Sequence, residues 1–360
     1  MDNNIKIFDL LKSQKYTDVI NIIKKNENIN INIRDNSNSY LIQYAVLFNN
    51  NELVNLLITK SCKLDIYDLD NRCILYIPIK LNYNDILESL LKYDKDIIGV
   101  SLNDLKDTNG HYSIHYAIFF KNITALKLLK KYGSNLDKLD KDNNNILYYA
   151  IKSKNNEIFN EIINITDNIN HQNDNGETVL HLACNFNNID FIDKLLENNI
   201  DVNIKDYNSG ILPIMYSIIS FKNKIFYKLL KDTNINIQDN YGNTCLHYCI
   251  FEKNYDIINS ILEKDVEFNI TNIKGKTILH LILDNFNERY LSNYDLEKII
   301  KNTNLNIQDY YGNSCFLLLC KNNLWFKYKD IIKKKKVNYL LKNFNKENCL
   351  NFIKDEDSEK

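Results

Sequence analysis

The chain has 360 residues and a formal charge of −1, from 45 basic and 46 acidic side chains. That balance supplies no pull toward a polyanion or an anionic lipid surface, so neither nucleic acid nor membrane is expected as a partner. Hydrophobic content of 44% suits a folded chain, while 61 asparagines against only 8 glycines and 2 prolines carry the bias of an AT-rich coding sequence.

The first residues, Met1 to Phe8, lack a basic segment leading into an apolar core, and no apolar run reaches the length of a membrane span. A cytoplasmic location is therefore expected, with the nucleus as an alternative. Phe8, Leu10, Leu11, Val19, Ile20, Ile22 and Ile23 recur at helical spacing. Residues 1–34 thus read as N-terminal capping helices.

From residue 35 the sequence echoes itself. Asp239-Asn240-Tyr241-Gly242-Asn243-Thr244-Cys245-Leu246-His247 returns one period later as Asn272-Ile273-Lys274-Gly275-Lys276-Thr277-Ile278-Leu279-His280. The Gly242 position recurs at Asn38, Asn71, Gly110, Asn143, Gly176, Gly210, Gly275, Gly312 and Lys346, mostly in steps of 32 to 34 residues. A fixed period of this length means stacked supersecondary units that share a core with their neighbours. Two longer steps, 39 and 37, place insertions near 97–103 and 288–294. The array is assigned to residues 35–341, about nine units. Residues 342–360 form a degenerate last unit and an acidic tail, Asp355 to Glu359, expected to be disordered.

Each unit reads alike. Asp or Asn stands three residues before most of the Gly-like positions (Asp35, Asp68, Asp107, Asp140, Asn173, Asp239, Asn272, Asp309), as a type I turn requires. Thr178, Thr244, Thr277 and Ser314 then cap a short first helix, and Pro213 takes the first helical position. That helix ends near Asn49, Asn82, Lys121, Lys154, Asn187 or Lys253. A second helix carries apolar pairs such as Leu195-Leu196, and an extended return such as Asp201-Val202-Asn203 closes the unit.

The eight cysteines include no CxxC pair, and most fall at small-residue positions of the first helix. They are expected to be reduced and structural rather than zinc ligands. No phosphate-binding glycine loop and no nucleophile elbow occurs. The repeat-spaced Asp residues are turn formers, not an acid–base pair. His115, His181, His247 and His280 share one repeat position and do not converge; His111 and His171 read as solvated loop residues. Lys333 to Lys336 read as a solvated helix end, with an import signal or a patch for an acidic partner as the sharper alternative. No enzyme activity, metal or cofactor is expected.

Thr178-Val179-Leu180-His181-Leu182-Ala183, Thr244-Cys245-Leu246-His247 and Thr277-Ile278-Leu279-His280 resemble the Thr-Pro-Leu-His-x-Ala segment of the ankyrin repeat family. Asp201-Val202-Asn203, Asn234-Ile235-Asn236 and Asn304-Leu305-Asn306 resemble its Ala-Asp-Val-Asn ending. The resemblance covers residues 35 to 350; the family's proline survives in one copy, and its glycine between the helices is absent. A tetratricopeptide array, of similar period, lacks the Asp-x-x-Gly turn. The resemblance implies an all-α solenoid of stacked helix-turn-helix units with β-turn fingers. It also implies that the shared histidine bonds backbone across the helix start.

It further implies a monomeric, non-catalytic scaffold that grips one or more proteins on its concave face, with host proteins among the partners to expect. The alternative is a substrate adaptor that joins a bound protein to a ubiquitin ligase or similar machine through its C-terminal end. Finger tips and first-helix ends line that face in the family. The tips here are Tyr207, Tyr241, Tyr310 and Tyr311; the helix ends include Phe48, Phe119, Phe120, Phe186 and Phe251. Exposed aromatics anchor protein interfaces, so these nine are the candidate contacts. The tyrosines are expected to be exposed, whereas each Phe either faces solvent or packs between neighbouring units.

Overall fold

The computed structural model describes residues 3–26, 29–97, 101–166, 168–284 and 292–353. Twenty α-helices and no strands lie among the described residues. The chain divides into two compact units, Met1–Asp174 and Asn175–Lys360.

Unit 1 opens with the helices Asn3–Lys12 and Tyr16–Lys25. Four helix pairs follow: Leu41–Leu47 with Asn51–Thr59, Tyr76–Leu81 with Asn84–Ile97, Ser113–Phe119 with Ile123–Lys131, and Ile146–Ser153 with Asn156–Ile163. Within the unit, each of these first helices packs on the first helix of the next pair. Unit 2 begins with Val179–Phe186 and Ile189–Glu197, then Pro213–Ile219 and Asn223–Leu229, then Cys245–Phe251 and Ile258–Leu262. Ile278–Asp284 with Asn293–Asn302 and Cys315–Lys321 with Lys329–Ile332 complete it, stacked in the same way.

The turns hold because every Gly-like position carries a left-handed backbone. All ten, from Asn38 at φ 62° to Lys346 at φ 63°, have positive φ. The Asp three residues earlier pins the turn from its side chain. Asp239 Oδ1 accepts from the N–H groups of Tyr241 (2.8 Å) and Asn243 (2.7 Å), and Asp35, Asp68, Asp107, Asp140 and Asp309 do the same in their units. Isolated antiparallel bridges close three of these fingers, for example Gln308 with Ser314. The six first-helix ends named from the sequence are all left-handed; Phe221 (φ 55°) and Asn323 (φ 55°) are two more.

Asparagine supplies the links between neighbouring repeats. Asn203 Oδ1 accepts from Asn234 N–H (2.8 Å), Asn236 Oδ1 from Glu267 N–H (3.0 Å), and Asn306 Oδ1 from Asn338 N–H (2.8 Å). The other end of each amide donates onward, as from Asn236 Nδ2 to Asp265 O at 2.7 Å. One side chain thereby satisfies a donor and an acceptor of backbone that has no ladder partner of its own. Asn50, Asn122, Asn155 and Asn188 cap second helices.

The first insertion is tied down where it is described: Asp94, buried, accepts from Leu102 N–H and Ser101 Oγ. Residues 98–100 of the first insertion, 288–291 of the second (with 285–287 just before it) and the acidic tail lie outside the described residues. All eight cysteines are buried free thiols. Burial pushes Cys62, Cys245, Cys315 and Cys320 up to about 12, so none is a ready nucleophile.

Candidate protein-binding surface

The shared histidines are structural. Thr178 N–H donates to His181 Nδ1 (3.0 Å), which leaves the proton on Nε2 to reach Ile211 O of the next finger at 3.1 Å. His247 spans from Thr244 to Lys276 O, and His280 from Thr277 to Asn313 O. Burial lowers all of them, His115 and His247 to about 4, so they stand neutral at pH 7.

The two histidines read as solvated are not. His111 Nδ1 lies 3.0 Å from Asp107 Oδ2 and its Nε2 lies 3.0 Å from Tyr149 Oη, a residue of the next repeat. His171 Nε2 reaches Asn143 O at 2.7 Å. A second pairing also lay unread in the sequence. The turn Asp accepts at Oδ2 from a tyrosine nine residues on: Tyr44 to Asp35 (2.6 Å), Tyr116 to Asp107 (2.5 Å), Tyr149 to Asp140, and Tyr248 to Asp239 (2.7 Å). Burial works to raise Asp107, but the Tyr116 hydroxyl and His111 hold its carboxyl below the usual value. These carboxylates are spent on the fold and are not available for catalysis.

In unit 1 the rings gather beside a half-open cavity of about 210 Å³, lined by Arg72, Tyr76, Tyr116, Phe119, Phe120 and Tyr149 among others. Phe119 stands 64% exposed at the structure's surface. Phe120 is half-buried, with Tyr76 at 5.6 Å and Phe119 at 5.2 Å between ring centres. Phe48 is also half-buried, between Tyr16 and Tyr44.

In unit 2 successive fingers are bonded tip to tip. Tyr207 N–H donates to Asn175 O, Asn240 N–H to Ser209 O, Ile273 N–H to Tyr241 O, Tyr310 N–H to Lys274 O and Phe344 N–H to Tyr311 O, each at 2.9 to 3.0 Å. The fingers of Tyr207, Tyr241, Ile273 and the Tyr310–Tyr311 pair are thus each bonded through backbone to a finger on both sides, and the finger of Phe344 on one. Tyr207, Tyr241, Tyr310 and Tyr311 are all more than half exposed, as are Ile273 and Phe344, which were not among the sequence candidates. They could have been: Ile273, Tyr310 and Phe344 all stand two residues before the left-handed position. Among the helix ends of this unit, Phe251 is exposed and Phe186 half-buried. Phe221, also missed, is 57% exposed in a left-handed conformation that Asn187 and Lys253 hold in the flanking repeats.

No group of three or more His, Cys, Asp or Glu able to hold a metal occurs among the described residues, and none of the described helices is long and apolar enough to cross a membrane.

The model for the family described as Ankyrin repeats (3 copies) matches residues 95–173, 114–206, 154–239 and 207–272. An ankyrin repeat protein of Acanthamoeba polyphaga mimivirus is 34% identical over 97% of this chain and 49% of its own length. One of Fowlpox virus is 29% identical over 67% of this chain and 40% of its own. The chain thus spans about half or less of these curated relatives. The crystal structure of the ankyrin repeat domain of Bcl-3 matches 64% of this chain and 99% of its own with a TM-score of 0.55 at 18% identity, a likeness of fold.

Proposed function

The chain belongs to the ankyrin repeat family, and on that premise we propose that it is a non-catalytic protein-binding scaffold whose unit 2 fingertips hold the partner. Repeats of this family are generally protein–protein interaction domains. The observation that carries the reading is the ridge of exposed Tyr207, Tyr241, Ile273, Tyr310, Tyr311 and Phe344 on fingers bonded one to the next. Rigid aromatics lose little side-chain entropy on docking, and contiguous apolar surface marks an interaction site. Phe221 supports it: a bulky residue held at positive φ costs about 1–2 kcal/mol, and strain of this kind collects at functional positions. The viral relatives favour a host protein as the partner.

Affinity capture from host cells followed by mass spectrometry tests the reading. Tyr241→Ala/Tyr310→Ala/Tyr311→Ala is expected to lose the partner with an unchanged melting curve. Phe221→Asn relieves the strained backbone, so it should melt no lower than wild type yet capture less. Undiminished capture by both variants would reject this face.

A further inference from the structure

The C-terminal end of the ridge carries charge as well as rings, and we infer that it docks an acidic, apolar segment of the partner protein. This rests on the fingertip reading above and adds the chemistry of what is held. Lys274, Lys342 and Lys346 are exposed and flank the rings over three successive fingers: Lys274 on the first, Tyr310 and Tyr311 on the second, and Lys342, Phe344 and Lys346 on the third. Tyr310 N–H donates to Lys274 O (2.9 Å), Gln308 Nε2 to Lys342 O (3.1 Å), and Phe344 N–H to Tyr311 O (3.0 Å), so the three fingers are joined. Tyr310 and Phe344 rings lie 6.4 Å apart.

The carboxylates nearby are already committed. Asp309 accepts from Tyr311 N–H, Asn313 N–H and Asn313 Nδ2, and Glu347 pairs with Lys321 at 2.7 Å. None of Lys274, Lys342 and Lys346 makes an ion pair or sits over a ring among the described residues. Residues 309–353 hold nine lysines against Asp309, Asp330 and Glu347, in a chain whose net charge is −1. A surface of rings edged by three ammonium groups that no carboxylate among the described residues compensates is complementary to a segment that alternates acidic and apolar side chains.

Basic aromatic surfaces also bind single-stranded nucleic acid, which stacks successive bases on ring faces. The rings here do not offer that: Tyr310 stands at 89° to Tyr311 and 64° to Phe344, edge to face. The crossed rings fit side chains entering between them.

Fluorescence anisotropy on the full chain tests this with three labelled probes at 50 and 300 mM salt. They are a peptide alternating glutamate with leucine and phenylalanine, the same peptide with lysine for glutamate, and a thymidine oligonucleotide. Binding of the acidic peptide alone is expected, weakening at least about threefold at the higher salt as screening shortens the reach of the charges. Lys274→Glu/Lys342→Glu/Lys346→Glu should lose about tenfold or more with an unchanged circular dichroism spectrum, and so should Tyr310→Ala/Phe344→Ala. Equal binding of the lysine peptide, tighter binding of the oligonucleotide, or indifference to the charge reversal would overturn the inference. If no probe binds while Tyr241-dependent capture from cells persists, this inference falls and the broader one stands; loss of both removes both.

Discussion

Stability should fall by several kcal/mol as the pH drops from about 6.5 to about 4. His115, in unit 1, accepts at Nδ1 from Tyr112 N–H, and His247, in unit 2, from Thr244 N–H, as only a neutral ring can, and burial brings each from 6.5 down to about 4. Between those values the unfolded chain takes up a proton that the folded chain refuses. The contribution is fully present above about 6.5 and is lost as the pH falls toward 4, at up to about 1.4 kcal/mol per pH unit and roughly 3 kcal/mol in all for each ring. His181 and His280 are lowered for the same reason and add to the slope. Asp107 and Asp140 act later: their carboxyls are held below 3.8, so what they contribute is lost under that value. Buried Asp94, whose carboxyl is raised, works the other way and partly offsets the loss in unit 1. Urea unfolding at pH 7.0, 5.5 and 4.5 measures the slope. The double variant His115→Gln/His247→Gln should start less stable at pH 7 and lose distinctly less on acidification; slopes parallel to wild type would show that other groups dominate.

Replacing Gly176 with alanine should cost at least about 2 kcal/mol more than replacing Gly133. Both are left-handed, at φ 76° and 82°. Each substitution therefore carries the same backbone penalty of about 1–2 kcal/mol. A Cβ at Gly133 meets nothing within 4 Å, whereas one at Gly176 would lie 2.3 Å from Tyr207 N and 2.4 Å from Tyr207 Cγ. That N–H bonds Asn175 O and forms the first rung of the fingertip ridge. Gly176→Ala must push the finger of Tyr207 away and break the rung. Chemical denaturation of the two variants gives the comparison; equal losses would mean that the fingers are not in close register at this point.

The repeat was legible because its grammar is local. A left-handed turn favours Gly or Asn, and Asp or Asn three residues earlier fixes most of them, so nine turn positions could be placed from these residues and Lys346 from the period. Helix ends at Asn and Lys were read the same way, but Phe221 was not, because nothing intrinsic to phenylalanine favours positive φ. What escaped depends on neighbours one period away. His111 looked solvated because Tyr149, its partner 38 residues on, belongs to the next repeat. The Tyr–Asp bonds at nine-residue spacing escaped for a different reason: a turn residue and a helix residue were read as separate signals. The asparagines looked like coding bias, yet Asn203, Asn236 and Asn306 each join two repeats through both ends of one amide. Of the nine candidate contacts, the four tyrosines, Phe119 and Phe251 are exposed, while Phe48, Phe120 and Phe186 are half-buried. Period alone cannot separate those two classes, since a helix-end ring turns outward or inward according to the rings beside it, as Phe120 does against Tyr76.

The backbone bonds between successive fingers make the unit 2 fingertips a rigid ridge although their side chains face solvent. Amide hydrogen exchange measured residue by residue tests it most directly. The N–H groups of Tyr207, Asn240, Ile273, Tyr310 and Phe344, each bonded to the preceding fingertip, are expected to exchange as slowly as amides of the first helices. Exchange of these five at the rate of open loops would contradict it.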